Sequence, residues 1–252
     1  MKFIEKPNLP RQKVKCVVCD SRIGDSIEKE LNLLGCSILF VPSDNYLDYP
    51  ISSHPDIHLY HSGDGNFITS GFFFKTFNGE IKKLVSTKDC EIFNNTKEVK
   101  KISRGYPNDV PLNVVKVGNC IIGNKDTASE IIMSFDYTAF INVKQGYTKC
   151  SVCVVSENAI ITDDPGIYQQ TKKLLDTLVV KRGEIVLNGY DYGFFGGTCG
   201  KISSDTLAFY GKVENFSEYD RISAFCRNHS VYCYSLSNSP LTDYGSLIPI
   251  LE

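Results

Sequence analysis

One phrase recurs along this chain and limits its fold more than any other feature. It is clearest between Val143 and Ile167. Polar Gln145-Gly146-Tyr147-Thr148-Lys149-Cys150 leads into an apolar run from Val152 to Val155. Ser156-Glu157-Asn158 separates that run from a second, Ala159 to Ile161. Two apolar runs joined by a short polar turn predict a β-hairpin. Asp163-Asp164-Pro165 then predicts a helix start, because carboxylates suit the positive N-terminal end and proline is tolerated there. A helix over 166–176 and a strand at Leu178 to Val180 complete the phrase.

The same order appears elsewhere. HPDIHLYHSGDGNFIT, from His54, reads as strand, Gly-Asp-Gly turn and strand, with an aromatic insertion (Phe72, Phe73, Phe74, Phe77) and a closing strand over 97–101. VPLNVVKVGNCIIGN is followed by a helix over 127–133 and a strand at Ala139 to Val143. GFFGGTCGKISSDTLAFYGKV is followed by a helix at Ser217 to His229 and a strand at Val231 to Leu236. A fifth copy opens at PLTDYGSLIPIL and stops. Residues 14–41 supply what it lacks: a strand at Val14 to Cys19, helical spacing at Ile23, Ile27, Leu31 and Leu34 before Gly35, and a strand at Ser37 to Val41. The expected fold is α+β, a five-fold pseudo-symmetric α/β propeller of ββαβ units closed by the N- and C-termini. No single unit can bury its apolar face alone, and closure removes open sheet edges. The expected boundaries are one domain over 1–252 with a polar lead-in at 1–12; two unrelated mixed domains are the alternative.

Composition narrows the function classes. A net charge of −2 offers no basic stripe for nucleic acid. No run of about 18 apolar residues calls for a membrane, and the polar, proline-containing start is unlike a signal peptide, so a cytoplasmic protein is expected. Ten cysteines then read as reduced thiols, with Cys16, Cys36, Cys120, Cys153, Cys226 and Cys233 packed as small apolar residues. The Asn-X-Ser/Thr triplets at Asn94, Asn215 and Asn228 carry no meaning without secretion. Cys16-X-X-Cys19 and Cys150-X-X-Cys153 have zinc-like spacing. Both lie in β-branched runs, where residues three apart face opposite sides of a strand, so no metal is expected. His54, His58 and His61 read as surface histidines, with a His54–Asp56 or Asp56–His58 pair as the metal-binding alternative. No cofactor is implied.

The phrases VKQGYTKCSVCVV, ENAIITDDPGI, GYDYGFFGG followed by a CGK sequence, and the PLTDYGSLIPIL ending resemble an uncharacterised family of the pentein, or guanidino-modifying-enzyme, fold. The resemblance covers nearly the whole chain. It implies a site at the ring's centre, where a cysteine attacks a guanidinium carbon, a histidine moves protons and carboxylates hold the cation. Lining up the polar residue before each first apolar run gives Asp56, Asn113, Cys150, Cys199 and Asp243. Asp56 and Asp243 can accept a guanidinium's fork of N–H donors. Asn113, Ser246 and Lys149 join the candidate ligand-binding set, and Cys199, Cys150 and His54 form the candidate catalytic set. Cys199 ranks first, because Gly196, Gly197 and Gly200 leave it unshielded and Lys201 favours its thiolate. The same glycines also fit a tight backbone crossing at the axis.

Catalytic penteins place the nucleophile in the last repeat, yet here that repeat reads Thr242-Asp243-Tyr244-Gly245-Ser246. Their histidine belongs to a later repeat, whereas His54 stands in the first. Three readings follow: a cysteine-dependent hydrolase or transferase acting on a guanidino or amidino compound; a non-catalytic pentein binding a small cationic ligand; or a protein-binding module presenting the aromatics of Phe72 to Phe77. The sequence does not address oligomeric state.

Overall fold

The computed structural model describes residues 1–84, 96–99, 102–134 and 137–252. The end of the closing strand expected over 97–101, and Asn94 and Asn95 of the triplet at Asn94, lie outside them. In chain order, β1 (Cys16–Asp20), α1 (Asp25–Leu33) and β2 (Ser37–Val41) precede α2 (Pro55–His58), β3 (Leu59–Gly63), β4 (Asn66–Ser70), α3 (Gly71–Leu84) and β5 (Thr96–Val99). Then come β6 (Val115–Val117), β7 (Cys120–Gly123), α4 (Glu130–Met133) and β8 (Ala139–Asn142). The next unit is α5 (Thr148–Ser151), β9 (Val152–Ser156), β10 (Ala159–Thr162), α6 (Pro165–Thr171) and β11 (Asp176–Val179). The last elements are β12 (Cys199–Lys201), β13 (Thr206–Phe209), α7 (Tyr219–Asn228), β14 (Tyr232–Ser235) and β15 (Ile248–Leu251).

The strands form five three-stranded sheets, each with its first pair antiparallel and its third strand parallel to the second. The fifth sheet is β15-β1-β2, with Val18 opposite Ile248 and Val17 opposite Pro249. Both ends of the chain therefore build one sheet.

Alternation along the strands closes the ring. In β9, Cys153 and Val155 pack against Cys199, Leu207 and Phe209 of the next sheet, whereas Val152 and Val154 pack against Val115, Val117 and Ile122 of the preceding one. Tyr60 and Ile68 meet Val114 and Ile121, Leu59 and Phe67 meet Cys16, Val18 and Ile248, and Val17 and Cys19 meet Ala208 and Tyr210. Every sheet thus buries both faces against its two neighbours, which is why the strands read as near-continuous apolar runs.

Four local expectations are corrected. Residues 55–58 form a helical turn rather than strand, with Pro55 at its first position, where its missing N–H costs nothing. The aromatic insertion is α3, with Phe73, Phe77 and Ile81 buried on one face at spacing of four. The lead-in is anchored: Lys2 N–H donates to Glu252 O at 2.9 Å and Ile4 N–H to Ile250 O at 3.1 Å, and Phe3, Ile4 and Leu9 are buried. His54, His58 and His61 are buried, not exposed.

Candidate functional site

All five copies meet through the residues just ahead of their first strands. Asn113 is the hub. Its Oδ1 accepts from Lys149 N at 2.7 Å and Cys150 N at 3.2 Å, while its Nδ2 donates to Asp56 O at 3.1 Å and Cys150 Sγ at 3.2 Å. Cys150 Sγ in turn donates to Asp56 Oδ1 at 3.1 Å. The other carboxylate oxygen of Asp56 accepts from Ser246 N and Ser246 Oγ, each at 2.8 Å. Lys149 Nζ donates to Ser246 Oγ at 2.7 Å, so its charge is directed towards Ser246 and Asp56.

The short helical turns set these directions. In α2 and α5 one turn ends as the strand begins, so the residues before it project inward while the following strand runs away. Asp243 is fixed separately, accepting from Phe194 N at 2.8 Å and Gly245 N at 2.9 Å. Gly245 has φ +70°, and a Cβ there would lie 2.7 Å from His54 Cβ, so glycine is required by both conformation and space.

His54 stands over this floor. Its Nδ1 is 3.9 Å from Asp243 Oδ1, too long for a hydrogen bond. Neither ring nitrogen has a hydrogen-bond partner among the described residues, although the side chain is 1% exposed. A ligand atom on His54, one on Asp56 and Cys150 Sγ all lie within 4.8 Å of one another. Above them a cavity of 280 Å³ opens, lined by His54, Cys150 and Asp243 at its floor and by Tyr147, Tyr190, Tyr192 and Phe194 along its walls. The rings of Tyr147 and Phe194 stack with centroids 5.9 Å apart, and Tyr147 Oη donates to Asp109 Oδ2 at 2.5 Å.

Burial and mutual repulsion disfavour the charged forms of Cys150 and Asp243. Burial, then the Asp56 and Asp243 carboxylates, push the Cys150 thiol well above its ordinary range; Asn113 opposes weakly. Burial raises the Asp243 carboxyl as well, with Asp56 adding to it and His54 and the two N–H donors pulling the other way. The Cys150 thiolate is therefore disfavoured.

Of the residues aligned from sequence, Asp56, Asn113, Cys150 and Asp243 come together, with Ser246, Lys149 and His54 beside them. Cys199 does not. It is the first residue of β12, 2% exposed, and points into the core with its Sγ 3.8 Å from Phe195 O. Lys201 does not serve it either, donating instead to Val155 O at 3.2 Å and Ser204 O at 2.5 Å. The fourth copy contributes Gly196 and Gly197 in place of a side chain. Gly196 O lies 3.1 Å from Ser246 Oγ, and a Cβ on Gly197 would fall 1.9 Å from Asp243 Oδ1. Sequence reasoning does not single out the aromatic walls, although Tyr190, Tyr192 and Phe194 alternate along one short stretch.

A family model described as a family of unknown function (DUF6873) matches residues 18–248, and the chain belongs to that family. No curated protein matches the sequence. Solved structures are similar to it in fold. The inosamine-phosphate amidinotransferase StrB1 from Streptomyces griseus has a TM-score of 0.57 at 10% identity, covering 98% of this chain and 94% of that one. A C315S agmatine deiminase from C. jejuni with substrate bound gives 0.57 at 8%, covering 99% and 96%. SxtG, an amidinotransferase from Microseira wollei in the saxitoxin biosynthetic pathway, gives 0.56 at 10%, covering 93% and 91%. The fold is the pentein, as the sequence phrases implied.

Proposed function

We propose that this member of the DUF6873 family is a cysteine-dependent hydrolase or transferase acting on a guanidino or amidino compound, with Cys150 as nucleophile. The observation that carries the reading is the convergence of Cys150, His54 and Asp243 at the floor of an aromatic-walled cavity, with the buried Asp56 carboxylate hydrogen-bonded to Cys150. A planar cation set against Asp243, beside the Asp56–Cys150 pair, offsets the negative charge of both acids. It also reverses the local field, so the charge that raises the Cys150 thiol in the free site is neutralised when ligand binds. The Cys150 proton then passes to His54, whose ring nitrogens face no competing partner among the described residues. The thiolate forms a bond to the central carbon. The tetrahedral adduct expels the leaving amine, which takes the proton from His54, and an S-amidino cysteine remains. Water returns the thiol and a hydrolysed product; an amine acceptor gives a new guanidine instead. Lys149, Ser246 and Asn113 act as positioning residues.

A second reading, a cation binder without chemistry, is supported by the raised Cys150 thiol of the free site. The test uses 2-chloroacetamidine and its neutral isostere 2-chloroacetamide, which both form an S–C bond with loss of chloride. The amidinium should alkylate Cys150 at least about tenfold faster, as a buried acid pair favours the cation. C150S should abolish that labelling and C199S should not, read by intact mass and peptide mapping. Equal rates for the two reagents, or labelling that survives C150S, would sink the nucleophile assignment. Release of ammonia or an amine from a guanidine panel, lost in C150S, separates enzyme from binder.

A further inference from the structure

The geometry points to a narrower ligand class: a guanidinium or amidinium whose distal end is cationic or uncharged, and not one that carries a carboxylate, as an α-amino acid does. This inference rests on the site proposed above and concerns the part of the ligand that the reacting centre does not touch. From the floor at Cys150 and Asp243, the cavity leads outward between Tyr147, Tyr190, Tyr192 and Phe194, with Ile51 and Leu187 adding apolar surface and Asp191 at the mouth. Among the described residues, no lysine or arginine lines it. The acidic side chains met along its length are Asp243, buried at the floor, and Asp191, exposed on the rim.

The cations described near the channel do not line it, although Arg182 Nε is buried without a hydrogen-bond partner. Arg182 lies over the rings of Tyr192 (5.9 Å) and Phe194 (5.6 Å), with its Nη2 on Asp164 Oδ2 at 2.9 Å. Arg104 pairs with Asp48 at 3.0 Å and also donates to Leu47 O. Lys149 is bonded to Ser246 beneath the floor. The backbone N–H groups of Phe194 and Gly245, which would otherwise be open to an anion, are both spent on Asp243. A ligand carboxylate in this channel would lose its hydration, meet no lysine or arginine in the lining and lie against the acidic side chains of Asp243 and Asp191, whereas an ammonium would meet aromatic faces and Asp191. The volume of 280 Å³ lies near the lower end of the roughly 300–1,000 Å³ usual for ligand pockets, which suits a small ligand.

Agmatine and arginine differ by a single carboxylate, so they test this directly, with methylguanidine as the head group alone. Titration calorimetry on the whole chain should find agmatine binding at least about tenfold tighter than arginine, a gap of about 1.4 kcal/mol. Asp191→Asn should weaken agmatine a few-fold while leaving methylguanidine unchanged. Arginine binding within about tenfold of agmatine, or an agmatine affinity indifferent to Asp191→Asn, overturns the inference and leaves the reacting centre untouched. If none of the three compounds binds, the site reading itself fails, and this inference with it.

Discussion

Cys150 and Cys199 lie near the start of corresponding strands, and the difference between their environments is a matter of two residues. Cys150 stands two positions before its first strand; Cys199 begins one. An alignment keyed to polar side chains pairs them, because the true counterpart of Cys150 in the fourth copy is Gly197, which has no side chain to recognise. The glycines were legible as a backbone crossing, but not as the reason Cys199 is removed from the axis. Gly197 leaves the space that Asp243 fills, since its Cβ would fall 1.9 Å from Asp243 Oδ1. Gly197→Ala should therefore displace the Asp243 carboxylate from the Phe194 and Gly245 amides. Urea unfolding should show a loss of about 1–3 kcal/mol, the usual range for overpacking, together with weakened methylguanidine binding. Unchanged stability and binding would mean that Asp243 has other room. Asp56, Asn113 and Asp243 were legible because a small polar residue interrupting an apolar run is conspicuous. His54 was legible only as a neighbour of Asp56.

At the level of elements, strands were easier to read than helices. The inner strands, such as β1, β9 and β10, are buried on both faces, so their apolar runs stand out against polar turns. The helical turns at 55–58 and 148–151 are too short to show any period, and they are the elements that aim Asp56 and Cys150 inward. The helix α3 carried its own signal in Phe73, Phe77 and Ile81, obscured by the adjoining Phe72 and Phe74. Phe73 and Phe77 serve the core: Phe77 packs edge-on against Phe67 at 4.9 Å and lies 5.6 Å from Phe73. Phe77→Ala should cost about 3–5 kcal/mol. Phe72→Ala, at a position 41% exposed, should cost far less. The pair of unfolding curves checks this, and similar losses at both positions would contradict the assignment of the buried face.

The whole molecule has an acid weakness built from its histidines. Burial holds His58 down to about 4 and His61 to about 3. Both folded values lie below the unfolded value of about 6.5, so the unfolded chain takes up protons first as pH falls. Their contribution is intact above about pH 6.5 and is lost progressively towards pH 3, at about 1.4 kcal/mol for each tenfold difference in proton affinity between the folded and unfolded chain. Asp163, raised by burial to about 7, acts oppositely and offsets part of this slope. Urea midpoints should fall between pH 6.5 and 4, and His61→Leu should flatten the fall; an unaltered slope would place the acid sensitivity elsewhere. The joining of β15 to β1 has a further consequence, in time rather than space. Asp243 and Ser246 immediately precede β15, the last strand of the ring to leave the ribosome, and β1 is the first. Until β15 emerges, the nascent chain holds β1 with an open edge and a candidate site without Asp243 and Ser246. The ring and the candidate site are completed in the same late event, so a chain stalled before residue 243 has neither.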